Sequence, residues 1–131
     1  MAKNKSRGFT LIEWMIVVVI VAILAAIAYP SYRNQVINGN RAAAESYLMA
    51  LATRQEQYML DARSYATTVG AGELNFPAPP EVANHYQAVV ITLGAAPPTF
   101  TLTATPIPGD MQASDGALWI KSDGSKSPNW K

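Results

Sequence analysis

From residue 9 to residue 29 the chain is apolar with one ionisable exception, Glu13, and residues 14–29 hold no charged or strongly polar side chain. Coiled as a helix at about 1.5 Å per residue, this stretch extends roughly 30 Å, the hydrocarbon thickness of a bilayer, and is long enough to span one. Beyond it the pattern becomes amphipathic. Ile37, Ala44, Leu48, Leu51, Gln55 and Tyr58 recur at helical intervals, with Arg41, Glu45, Arg54 and Glu56 mostly off that stripe. The two segments together predict one long helix over residues 9–60, about 78 Å in length. A bend is expected at Pro30, which removes a backbone hydrogen bond and crowds the preceding turn. Asn38-Gly39-Asn40 is a second weak point, since all three are poor helix formers.

The periodicity then stops. Residues 61–84 are rich in proline and turn formers and read as a long loop. Strand-like runs follow at residues 85–93, 99–105 and 117–121, the second alternating Phe100, Leu102 and Ala104 with threonines. Ala95-Ala96-Pro97-Pro98 separates the first two runs, and Ser122-Asp123-Gly124-Ser125 is a turn leading to a short final strand near Trp130. These elements predict an α+β fold, with an antiparallel sheet of three or four strands laid across the C-terminal half of the helix.

Charge gives the apolar stretch a direction. The flank before it carries Lys3, Lys5 and Arg7 and no acid, which favours a cytoplasmic N-terminus with everything after Tyr29 outside. A secretory signal peptide fits poorly, because the apolar run is long and the small residue, Gly8, precedes it instead of ending it. Glu13 needs its own account. A carboxylate in a membrane span costs about 2.5–3.5 kcal/mol at the centre and less near the interface, so it either sits at headgroup depth or meets a cation.

The segment Lys3-x-x-x-Arg7-Gly8-Phe9-Thr10-Leu11-Ile12-Glu13, followed by the apolar run and AIAYPSY, resembles the class III leader and N-terminal helix of type IV pilins. Residues 54–65 further resemble PilE-like minor pilins of Gram-negative bacteria. The resemblance implies a pilin-like roll and cleavage by a prepilin peptidase between Gly8 and Phe9, with N-methylation of Phe9. It divides the chain into a leader (1–8), a transmembrane and assembly helix (9–30) and a periplasmic or extracellular globular domain (31–131). It also implies that Glu13 sets register by neutralising the Phe9 amine of a neighbouring subunit. Trp14 departs from the family, which usually has an aliphatic residue there.

The expected role is a structural subunit, a minor pilin waiting in the inner membrane and then assembled into an extracellular filament. Such a filament would support pilus biogenesis, twitching motility, adhesion or DNA uptake. Its partners would be other pilin subunits, the peptidase, the inner-membrane assembly machinery and, before assembly, membrane lipid. A pseudopilin of a type II secretion system is the alternative of equal N-terminal likeness, and a DNA-binding or adhesive pilin is the second alternative.

Composition narrows the chemistry. The chain has 10 basic and 9 acidic side chains, and loss of the leader's three basic residues leaves a net charge of −2, too weak for a general polyanion field. There are no cysteines, which removes thiol chemistry and cysteine metal sites. It also means that the C-terminal segment, often closed by a disulfide in Gram-negative pilins, is expected to be held by packing and backbone pairing alone. The single histidine, His85, is read as structural or solvent-facing with no acid pair nearby, and Asp110, Asp115 and Asp123 as solvated turn residues without calcium spacing. No enzyme activity, metal or cofactor is expected. Lys121, Lys126 and Lys131 with Trp119 and Trp130 could stack on and attract a nucleic acid, but a solvated hairpin with two packing tryptophans explains the grouping more simply.

Overall fold

The computed structural model describes residues 8–131, so the basic flank of the leader lies outside the described residues. Contacts divide the chain into two compact units, Met1–Gln35 and Val36–Lys131. The long helix α1 spans Leu11–Ala62 and carries Pro30 in its interior. The helix also continues through Asn38-Gly39-Asn40. There the poor local propensity is overridden by what lies beside it: Ile37 and Arg41 are both buried.

The second unit is organised on the buried face of α1. Ala44, Tyr47, Leu48 and Leu51 pack against the inward side chains of a three-stranded antiparallel sheet, Phe100, Leu102, Ala104, Leu118 and Ile120. Its strands are β1 (Val90–Ala95), β2 (Pro98–Ala104) and β3 (Leu118–Lys121), with β2 in the centre. The register Leu102↔Ile91 and Leu102↔Ile120 aligns the apolar residues of all three strands on one face. The alternation of threonine with Phe100, Leu102 and Ala104 therefore does what its period requires: the apolar set is buried and the threonines face away.

The strands differ from those expected at several ends; Ala95 and Pro98, expected in the break between the first two runs, pair with each other at the end of the β1–β2 ladder. The run expected from residue 85 begins as a ladder only at Val90, because a short helix α2 (Pro80–Ala83) closes its last turn through Tyr86 N–H donating to Val82 C=O. Tyr86 then makes only an isolated bridge to Pro106. No strand forms at Trp130. Residues 125–127 instead fold back on β3 through Lys121 N–H to Ser125 C=O and Ser127 N–H to Trp119 C=O. Pro128, which lacks an N–H, ends that pairing.

The loop over residues 61–84 is fastened, not free. The Gln55 side chain, fully buried on α1, donates to Ala66 C=O at 3.0 Å and accepts from Ala66 N–H at 2.8 Å. Tyr47 Oη donates to Phe76 C=O at 2.6 Å, and its ring stacks on Phe76. Further along, Glu73 accepts from Thr67 and Thr68, and its carboxyl is held below the usual range, first by the Thr68 backbone N–H and then by the Thr67 side chain. Replacing Gln55 with Leu strands both backbone groups of Ala66 without changing side-chain length much. It is expected to cost about 1–3 kcal/mol in denaturant unfolding, with loss of amide-exchange protection at Ala66.

Candidate assembly surface

Between Phe9 and Tyr32 the first unit presents little besides apolar side chains. Every residue from 8 to 35 is exposed, including Phe9 at 71%, Trp14 at 58% and the aliphatic residues that follow. β-Branched residues are abundant in residues 16–21, yet the segment is helical, because a single helix satisfies its own backbone groups where water is scarce. The helix is capped at its start. Glu13 N–H donates to Thr10 Oγ1 at 3.3 Å, the Thr-x-x-Glu arrangement of a capping box, and the carboxylate lies in the first turn, where the helix dipole favours it. The Phe9 and Trp14 rings meet edge to face with centroids 5.9 Å apart. Phe9, Glu13, Trp14 and Val17 line a shallow, mostly apolar groove of about 280 Å³. Gly8, Phe9 and Glu13 thus lie together at the start of the exposed helix, and Pro30 is exposed within it.

In the globular unit the decisive side chains are charged ones on the buried face of α1. Arg41 and Glu45, expected off the packing stripe, are 8% and 7% exposed. Arg41 Nε donates to Asp115 Oδ2 at 2.6 Å and Arg41 Nη2 to Asp115 Oδ1, a two-pronged ion pair that holds the guanidinium above its ordinary pKa. Gln112, fully buried, donates through Nε2 to Ile37 C=O at 3.1 Å and to Asp115 Oδ2 at 3.3 Å. Asn129 Nδ2 donates to Asp115 C=O at 2.8 Å, and Lys131 N–H donates to Glu45 Oε1 at 3.0 Å. One turn of α1 therefore grips the C-terminal segment at residues 115 and 131. Packing and backbone pairing are not its only fastening, as the lack of cysteine had implied; a buried polar network contributes as well.

Gln112 and Asp115 are delivered by a 3-10 helix at Met111–Asp115, capped by Asp110 accepting from Gln112 N–H at 3.1 Å. His85 Nδ1 lies 3.0 Å from the same carboxylate, so the histidine does have an acid beside it. Asp110 is held below the usual carboxyl range, mainly by the Gln112 N–H and then by His85. Asp123 fits the turn-residue expectation, accepting from Ser125 N–H at 2.8 Å. Asp115 does not, being a buried ion-pair partner.

Tyr86 is 2% exposed, and its hydroxyl lies beside Gln112 without a hydrogen bond of normal geometry. Burial is the main reason its pKa is pushed up to about 12. The unfolded phenol ionises near pH 10 while the folded one keeps its proton, so stability is fully present below about pH 10 and falls as pH rises toward 12. At about 1.4 kcal/mol per pKa unit the loss is roughly 3 kcal/mol. Tyr47 is shifted the same way by burial. An alkaline unfolding series with Tyr86→Phe is expected to lose the larger part of this slope.

The lysine and tryptophan grouping is divided. Lys121 Nζ lies 4.9 Å from the Trp119 ring, and both residues occupy the face of β3 opposite Leu118 and Ile120. Lys126 Nζ lies 5.3 Å from the Trp130 ring, and Trp130 packs against the core. These are two separate cation–π pairs.

A family description, "Prokaryotic N-terminal methylation motif", matches residues 3–29, and another, "Type IV minor pilin ComP, DNA uptake sequence receptor", matches residues 30–118. This chain belongs to the type IV pilin family. Among its relatives, type II secretion system core protein G of Escherichia coli (strain K12) is 36% identical over 87 residues, covering 65% of this chain and 60% of that protein. The type IV major pilin protein PilA of Myxococcus xanthus is 40% identical over 82 residues, covering 63% of this chain and 36% of that protein. The match therefore spans less than two thirds of either relative's length. A solved type IV pilin from Shewanella oneidensis has the same fold, with a TM-score of 0.51 at 22% identity over 70% of this chain and 91% of that one. The pilin's long apolar helix and three-stranded sheet agree with the expected α+β roll. Its methylation motif and apolar helix point to anchoring in a membrane.

Proposed function

We propose that this pilin is a minor, non-catalytic subunit of a type IV pilus. In this reading a prepilin peptidase cuts between Gly8 and Phe9 at the cytoplasmic face of the inner membrane and Phe9 is N-methylated. The assembly machinery then draws the subunit into an extracellular helical array with other pilins, with Pro30 supplying a bend in the stem. The observation that carries the proposal is the exposed apolar surface from Phe9 to Tyr32, far larger than a soluble monomer tolerates. Lipid covers it before assembly and neighbouring stems cover it afterwards, through head-to-tail contacts that need not close.

The match of residues 30–118 to a DNA uptake sequence receptor supports a finer role in contacting DNA, and just beyond the matched residues Lys121 and Lys126 are exposed cations beside indoles. If so, Lys121→Ala with Lys126→Ala will flatten the salt dependence of DNA binding by about 0.9 log unit per lost phosphate contact. An unchanged slope removes that role from these lysines. A second reading, a type II secretion pseudopilin, is favoured by the similarity to core protein G. Processing is tested by mass spectrometry of the N-terminal peptide from cells with intact or inactive prepilin peptidase. The expected product is methylated Phe9 only when the peptidase is active; a mature chain starting elsewhere would refute the assigned cleavage.

A further inference from the structure

The first unit shows a sharper pattern than a uniform apolar rod. Residues 15–28 consist only of Met, Ile, Val, Leu and Ala, while aromatic rings stand at both ends, Phe9 and Trp14 on one side and Tyr29 and Tyr32 on the other, all exposed. Arg33 follows Tyr32 directly. Rings with a polar edge settle at headgroup level, with the body in the acyl region and the N–H or O–H in water. The helix, moreover, begins only at Leu11, and residues 8–10 are not helical. Glu13 N–H is satisfied by Thr10 Oγ1 and Trp14 N–H by Thr10 C=O, but the first helical N–H groups, at Leu11 and Ile12, precede the intrahelical ladder. Irregular backbone and unpaired donors do not persist facing hydrocarbon. A span beginning at Phe9 would place them there, together with the Glu13 carboxylate.

We infer that Trp14 and Tyr32 mark the two faces of the bilayer, so that the lipid-embedded span runs over residues 14–32 and Glu13 waits at headgroup depth. The inference rests on the membrane-anchored reading above and fixes where the helix sits within it. Trp14 and Tyr32 are separated by about 27 Å along the helix, close to a hydrocarbon thickness of about 30 Å. Starting the span at Trp14, not at Phe9, brings the carboxylate, the capping threonine and the unpaired donors to water. It leaves the aliphatic band inside and Arg33 free to reach the opposite headgroups. The Phe9 ring packed on Trp14 widens the aromatic anchor on the cytoplasmic side.

The test is tryptophan quenching in the full chain reconstituted into phosphatidylcholine vesicles, with bromines carried either near the headgroup end of the acyl chain or near its middle. Trp119 and Trp130 belong to the other unit and supply a constant background. Shallow bromines are expected to quench about twofold more strongly than mid-chain ones, and Trp14→Phe is expected to abolish quenching by both. Stronger quenching from mid-chain bromines would overturn the assigned depth while leaving the span itself intact. Absence of quenching by either lipid would overturn the membrane reading and the depth with it. Quenching that survives Trp14→Phe would place a different indole in the bilayer and likewise overturn the inference.

Discussion

Replacing Arg41 with Leu will lower the unfolding free energy of the globular unit by about 3–5 kcal/mol, a large share of the 5–15 kcal/mol typical of a domain. The size follows from what remains behind. Asp115 loses its ion-pair partner in a site where its side chain is only 8% exposed, with Gln112 Nε2 at 3.3 Å as its other side-chain donor. Asp115→Leu will be comparably destabilising because it strands the guanidinium. The double variant Arg41→Leu/Asp115→Leu will be milder than the sum, since a buried ion pair replaced on both sides by apolar groups is often close to neutral. Urea unfolding of the full chain in detergent micelles, followed by tryptophan emission, measures all three. Additive losses, or a single-variant loss below about 1 kcal/mol, would mean that the pair is screened as a surface salt bridge is.

The second large effect concerns the other unit. Glu13→Leu is expected to leave the protein in the membrane and cleaved at Gly8, yet to reduce its recovery in filaments to near zero. Glu13, exposed in the first turn of α1, helps line a shallow groove with Phe9, Trp14 and Val17. Among residues 8–32 it is the only acidic or basic residue, so an incoming ammonium has no other acidic partner there. Leucine preserves the apolar surface but leaves that ammonium unpaired, which is costly in a dry interface. Quantitative immunoblots of sheared filaments against total cells would show the effect. Recovery equal to wild type would remove Glu13 from the assembly step.

Much of this fold could be read from spacing. The stripe from Ile37 to Tyr58 and the threonine alternation of β2 each reflect one buried and one exposed face, and such periodicity survives in the sequence. The clasp was hidden because its partners lie more than 70 residues apart, Arg41 with Asp115 and Glu45 with Lys131. One local signal was available: the stripe jumps seven residues from Ile37 to Ala44, and the position one turn after Ile37 is Arg41 itself. Reading charged residues as off the stripe concealed it. The His85–Asp110 contact and the 3-10 helix were likewise matters of tertiary approach, which no local period records. At the membrane end, Gly8, Phe9 and Glu13 were legible as a motif. The capping role of Thr10 followed the Thr-x-x-Glu spacing but was overshadowed by the apolar run around it.

The most direct test of the account as a whole is mass spectrometry of this protein in sheared surface filaments and, separately, in washed membranes, quantified against the dominant pilin. A minor pilin should be found as a scarce, N-methylated chain beginning at Phe9 in the filament fraction. A mature chain confined to membranes would contradict the pilus assignment and favour a secretion pseudopilin.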